Sequence, residues 1–194
     1  MDLILSEARN NPAAMQENIA WLLPRSEYNL GGRQYFAYLE SVLGNNERAR
    51  ELFLSAVPRW IDPDQWQELL GLYQTDGCVV SWVLINTGDE ELGDRLLQQA
   101  TTFLEETLPN AIEHTDRYDV EFCHLVAGNS EKALQALELS VSHNHVFDWA
   151  PDHRHPLFDQ IRHEPRYQAA KAEVDSRLAE QRAALDLLTA EAGP

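Results

Sequence analysis

The sequence predicts an all-α protein, an array of antiparallel helix pairs closed by one long C-terminal helix. Three observations carry this. A turn glycine recurs at Gly44, Gly88 and Gly128, spaced by 44 and then 40 residues. After each glycine a similar run of small and large residues descends the next helix. From Tyr167 onward, apolar residues return at steps of three and four, the spacing of one helical face. Self-similarity at a fixed period of about 20–50 residues marks stacked supersecondary units rather than one irregular core.

The organising stretch is Leu43 to Val57, LGNNERARELFLSAV. Gly44 supplies the left-handed conformation that closes a helix. Asn45 or Asn46 then caps the next one. Ala49, Phe53 and Ala56 fall at i, i+4 and i+7, on one face. The alanines allow close helix approach and Phe53 fills the seam. Thr87 to Ala100, TGDEELGDRLLQQA, puts Gly88, Gly93, Leu97 and Ala100 in the corresponding places. Ala127 to Ser140, AGNSEKALQALELS, does so with Gly128, Ala133, Leu137 and Ser140.

This pattern resembles the tetratricopeptide repeat over roughly residues 30–142. The period exceeds the family's usual ~34 residues, so each unit carries a longer connection. Gly93 stands where the family has alanine, and Glu121 where a small residue normally packs. The resemblance implies a right-handed α-solenoid whose first helices line a concave groove and whose second helices lie outside. A second phrase, Pro156, Phe158-Asp159, Ile161-Arg162 and Pro165-Arg166-Tyr167, resembles the end of repeat arrays in bacterial signalling proteins. Those arrays follow adenylate cyclase, Ser/Thr kinase or winged-helix regulator domains. The likeness implies a regulatory segment.

Composition narrows the classes. Among 194 residues, 44% are apolar, enough to bury a core. Lys and Arg total 15 against 32 Asp and Glu, a net charge of −17. That field repels phosphate backbones and anionic lipid heads, so neither nucleic acid nor a membrane surface is expected as partner. A basic protein or peptide suits it better. No apolar run approaches the ~20 residues of a membrane span. MDLILSEARNNP lacks the basic start and apolar core of a signal peptide. The expectation is cytoplasmic, or periplasmic if the chain is a piece of a membrane-anchored regulator, and its start close to helix-forming sequence suits a fragment boundary. Cys78 and Cys123 are expected as buried free thiols, because a disulfide scaffold uses more cysteines.

A single domain over residues 1–194 is expected, in three parts. Residues 1–29 hold N-terminal helices, with Asn10-Asn11-Pro12 opening one that Pro24 ends. Residues 30–142 hold the three degenerate repeats, with Gly31-Gly32 as a break before the first. An inserted helix at 62–73 is capped by Asp62-Pro63-Asp64 and explains the long first period. Residues 143–194 form a loop and a capping helix. Leu157, Phe158 and Ile161 tuck under the last repeat, Pro165 starts the final helix, and Arg162 and Arg166 pair with carboxylates. The distal half of that helix, through Leu178, Gln181, Leu185 and Leu188, is a homodimer seam, a docking face or a frayed end.

Few constellations suggest chemistry. His143, His145, His153 and His155, with His163, Asp148 and Asp152 close by, are imidazole and carboxylate donors suited to zinc, nickel or copper. A metal-binding or metal-sensing protein is the alternative they raise. Two residues apart on a loop is a poor chelate, however, and surface or hydrogen-bonding histidines explain them as well. Glu121 and His124 make one E-x-x-H, while a di-iron bundle needs two. His124 adjoins Cys123, but adjacent helical residues diverge by about 100°, which argues against a cysteine nucleophile. There is no G-x-x-x-x-G-K-[ST], G-x-S-x-G, H-E-x-x-H or C-x-x-C. No catalytic residue, cofactor or reaction is expected.

The binding surface implied by the repeat family is the groove. Six residues before each turn glycine stand Tyr38, Trp82 and Phe122, and one turn earlier Gln34, Cys78 and Tyr118. Phe36, Val80 and Val120 are the competing core candidates. Aromatic anchors among polar neighbours suit capture of a peptide or protein. The expected function is non-enzymatic protein–protein interaction or scaffolding.

Overall fold

The structure, a computed structural model, describes residues 12–22, 30–73, 76–107, 120–143 and 154–192. These are helical, and among them there is no strand. In order they form α1 (Pro12–Leu22), α2 (Leu30–Val42), α3 (Asn46–Ala56) and α4 (Trp66–Tyr73). Then follow α5 (Asp76–Asn86), α6 (Glu90–Thr107), α7 (Val120–Val126), α8 (Ser130–Ser142) and α9 (Pro165–Ala192). Short 3-10 turns at Pro58–Ile61, Pro63–Gln65 and Pro156–Gln160 connect them.

The three glycine turns share one geometry. Gly44, Gly88 and Gly128 have φ of 78°, 91° and 71°. In each, the amide after the glycine donates to the carbonyl five residues back: Asn45 to Glu40, Asp89 to Leu84, and Asn129 to His124. This is the Schellman closure, which satisfies a carbonyl left open at a helix end. The chain reverses, so α2 packs on α3, α5 on α6, and α7 on α8. The capping of the next helix is less uniform. Asn129 accepts from the Lys132 amide, whereas Asn45 occupies the N-cap of α3 without a side-chain cap bond and instead donates to Glu40 at 2.7 Å.

Matching positions on the second helices are buried in all three pairs. Ala49, Phe53 and Ala56, then Gly93, Leu97 and Ala100, then Ala133, Leu137 and Ser140 all face inward. Gly93 shows why the small residue matters. A Cβ there would stand 2.6 Å from Ile85 Cγ1 and 2.9 Å from the Ser81 carbonyl oxygen. The Ser81 hydroxyl donates to the Gly93 carbonyl at 2.7 Å, so α5 and α6 touch almost backbone to backbone. Successive pairs also meet: α3 packs on α5, and α5 and α6 both pack on α7. One apolar cluster runs through all of these, from Ile19 of α1 to Val174 of α9.

The insert after α3 is helical as expected. The Asp62 side chain accepts from the Asp64 amide, and α4 buries Trp66, Leu69 and Leu70 against α5 and α6. The Trp66 indole donates to the Trp60 carbonyl at 2.8 Å, which satisfies a polar atom in a buried ring. The Gly31-Gly32 break does not occur there. Both glycines lie inside α2, which begins at Leu30.

Candidate functional site

The first helices α2, α5 and α7 carry the positions expected to line a groove. Tyr38 on α2 and Trp82 on α5 are half-buried, so part of each ring meets solvent. Phe122 on α7 is buried, as are Gln34 and Cys78, and these three are corrections to the expected binding face. Tyr118 lies outside the described residues. Each correction has a local cause. The Gln34 amide donates to the Asp76 carboxylate at 2.8 Å, a tie between the first two pairs. Cys78 is joined to Cys123 in a disulfide, with Cα atoms 5.1 Å apart. The expectation of free thiols is therefore wrong: α5 and α7 lie side by side, and the two cysteines meet across that seam. Phe36 and Val80 fill the core as expected, while Val120 is only half-buried and Phe122 takes its place.

Phe122 is covered by the C-terminal tail. Leu157, Phe158 and Ile161 are all buried, and the turn Pro156–Gln160 packs on α7. The Gln160 amide reaches the Leu125 carbonyl at 3.4 Å. His155, just before this turn, is fully buried and packs against two of the expected groove rings. Its imidazole stands edge-on to Phe122 at 4.8 Å between centroids and to Trp82 at 5.6 Å. Nδ1 accepts from the Leu157 amide at 3.2 Å, so the side chain caps the turn. Nε2 is buried with no hydrogen-bond partner among the described residues. Burial first, and then the Arg162 charge, push its pKa down to about 3. Arg162 pairs with Asp159 and donates to the His155 carbonyl at 3.1 Å.

Of His143, His145 and His153, only His143 lies among the described residues. His143 Nδ1 lies 2.9 Å from the Leu139 carbonyl at the end of α8. His145 and His153 lie outside the described residues, as do Asp148 and Asp152. Among the described residues no group of three or more His, Cys, Asp or Glu side chains converges in the manner of a metal site. Glu121 is buried, and His124 is half-buried with its pKa lowered by burial and then by Lys132. The sequence signal for this cap is Pro156, since the residue directly before a first-turn proline sits at the N-cap. No comparable signal marks the place of His155 beside the two rings.

The tail is fixed to the last pair by charge as well as packing. Arg166 bonds Glu138 at 2.7 and 2.6 Å and both oxygens of Glu131 at 2.9 Å. Arg177 donates to the Val141 carbonyl at 2.8 Å, covering an open carbonyl of α8. Along α9, Tyr167, Ala170 and Val174 are buried and Leu178 half-buried, whereas residues 179–187 are exposed. Leu185 and Leu187, 60% and 68% exposed, stand two residues and so about 200° apart round the helix. Leu187 thus lies off the expected face of Leu178, Gln181 and Leu185, and the Leu188 side chain lies outside the described residues.

No helix among the described residues is long and apolar enough to cross a membrane. Comparison of the chain with protein-family models, with curated proteins and with solved structures finds no match in any of the three.

Proposed function

We propose that the chain is a non-enzymatic interaction module, a TPR-like right-handed α-solenoid acting as the regulatory segment of a bacterial signalling protein. Support for the solenoid reading comes from the shared Schellman turns and from the way each pair packs on the next. The binding reading rests on one observation. Tyr38 and Trp82, equivalent positions on two successive first helices, remain half-open to solvent although the residues one turn before them are buried. An aromatic ring that is neither core nor fully wet is a common anchor for a partner chain. The partner is a protein or peptide, and the −17 net charge favours a basic one.

The wall available to it is shorter than the sequence suggests. At the third pair the tail already occupies the aromatic position, so docking centres on α2 and α5. The test is retention of partners on immobilised protein. Tyr38→Ala with Trp82→Ala should abolish capture of a partner that the unaltered chain retains, with the helical circular dichroism unchanged. Retention by the double variant would sink the reading. Phe122→Ala is the control that should instead lose about 3–5 kcal/mol, the usual cost of emptying a buried aromatic site.

The disulfide also bears on compartment. Thiol–disulfide systems keep cytosolic cysteines reduced, and structural disulfides persist in oxidising surroundings. The buried Cys78–Cys123 bond supports the periplasmic reading over the cytoplasmic one.

A further inference from the structure

We propose that His155 is a pH-sensitive latch: its neutral ring holds residues 154–161 against α5 and α7, and protonation releases that segment and bares Trp82 and Phe122. The geometry requires the neutral form. Nδ1 accepts the Leu157 amide, so it has no room for a proton of its own while the turn is formed. The opposite edge of the ring, at Nε2, is buried with no acceptor among the described residues to stabilise a charge. The rings of Trp82 and Phe122 stand steeply inclined to the imidazole, with centroids 5.6 and 4.8 Å away, and His155 is fully buried against them.

Among the described residues, the charged neighbours do not rescue the imidazolium. Within its own segment stand Arg154, Asp159 and Arg162; Asp159 is engaged with Arg162, whose guanidinium donates to the His155 carbonyl. The only charged residue of α5 is Asp76, in its first turn. On α7 the titratable residues are Glu121 and His124, flanking Phe122 and Cys123. On α9, Tyr167 lies in the same core. Burial and Arg162 act against the charged form, and the pKa stands at about 3 in the docked state.

The sign of the linkage follows. A histidine whose docked pKa is depressed binds fewer protons docked than free. Docking is therefore fully present above the free value of about 6.5 and weakens as pH falls toward 3. Between pH 7 and pH 5 the undocked population should rise by about 25-fold. The segment would then expose the wall next to the Trp82 surface already assigned to partner binding, so acid lengthens that surface by one helix.

The experiment uses the full chain. Hydrogen exchange of the 157–161 amides, corrected for the intrinsic pH dependence, is compared at pH 7 and pH 5. The His155 ring carbons are titrated by NMR in parallel. The expected results are about 25-fold greater opening at pH 5 and a ring that stays neutral wherever the segment is protected. His155→Asn keeps an acceptor for the Leu157 amide without a titrating group, and its opening should be the same at both pH values. Equal pH responses in the two proteins overturn the proposal. So does a ring that titrates near 6.5 with the amides still protected, a measurement that decides the matter on the unaltered chain even where the variant does not fold.

Discussion

Cys78 on α5 and Cys123 on α7 are bonded across the seam between the second and third helix pairs, 45 residues apart in sequence. Closing a loop of that length removes unfolded-state entropy worth up to about 4 kcal/mol. Cys78→Ser with Cys123→Ser, or reduction of the unfolded chain before refolding, should lower the urea midpoint by a corresponding amount. The secondary structure should persist, because both sites lie within helices that also pack through Val79, Val80 and Leu125. Thiol trapping followed by mass measurement should count no free thiol in protein isolated without reductant. Two free thiols would remove both the bond and the compartment argument built on it.

Gly93→Ala should destabilise the chain, although alanine is the better helix former by about 1 kcal/mol. The added methyl would meet the Ser81 carbonyl at 2.9 Å and the Ile85 amide nitrogen at 3.0 Å, both backbone atoms that move only with the helix. Overpacking of this kind costs about 1–3 kcal/mol and forces α5 away from α6. Thermal unfolding checks the sign. A rise in melting temperature would mean that the two helices are further apart than described.

The two asparagine caps should respond differently. Asn129→Ala deletes a side-chain acceptor for the Lys132 amide and should cost about 1 kcal/mol. Asn45 makes no such bond. Its amide donates to Glu40, a buried carboxylate that also accepts from Gln16 at 3.3 Å. Asn45→Ala should therefore loosen α1 from α2, seen as faster hydrogen exchange in α1, while the first turn of α3 is unaffected. Equal losses at the first turns of α3 and α8 would contradict this.

The sequence carried the hairpins because their cause is local. A glycine able to take positive φ and the small residues after it are visible without the fold, and Ala49, Gly93 and Ala133 occupy equivalent places in the structure. The disulfide was not legible. Cys78 lies ten residues before its turn glycine and Cys123 five before its own, so a repeat register does not align them. They meet only because α5 and α7 pack side by side. The burial of the expected binding face was only partly legible for a similar reason. Counting back from the glycines picks out two half-buried rings, Tyr38 and Trp82, but the cover over Phe122 comes from a tail more than thirty residues away. Gly31 and Gly32 suggested a break by propensity alone, and packing of α2 overrides that weak preference.

Arg166 and the α8 carboxylates give the last prediction. Hydrogen bonds from Arg166 hold Glu138 and Glu131 below the ordinary carboxylate value of 4.5, with Gln135 adding to the effect at Glu131. A depressed carboxyl pKa contributes stability that is present above 4.5 and is lost as pH falls through the lower docked value. Docking of α9 should therefore weaken in a second acid step below about pH 4.5, added to the His155 effect that begins near 6.5 and continues toward 3. Arg166→Gln should remove this lower step, return the Glu138 carboxyl to its ordinary titration and leave the upper step in place. Because all three groups are at the surface, raising the salt should also shrink the lower step, whereas the buried His155 step should hardly respond. Hydrogen exchange along residues 165–174 across pH at two salt concentrations separates the two. A single merged transition that Arg166→Gln does not split would show that the clamp and the latch are not independent.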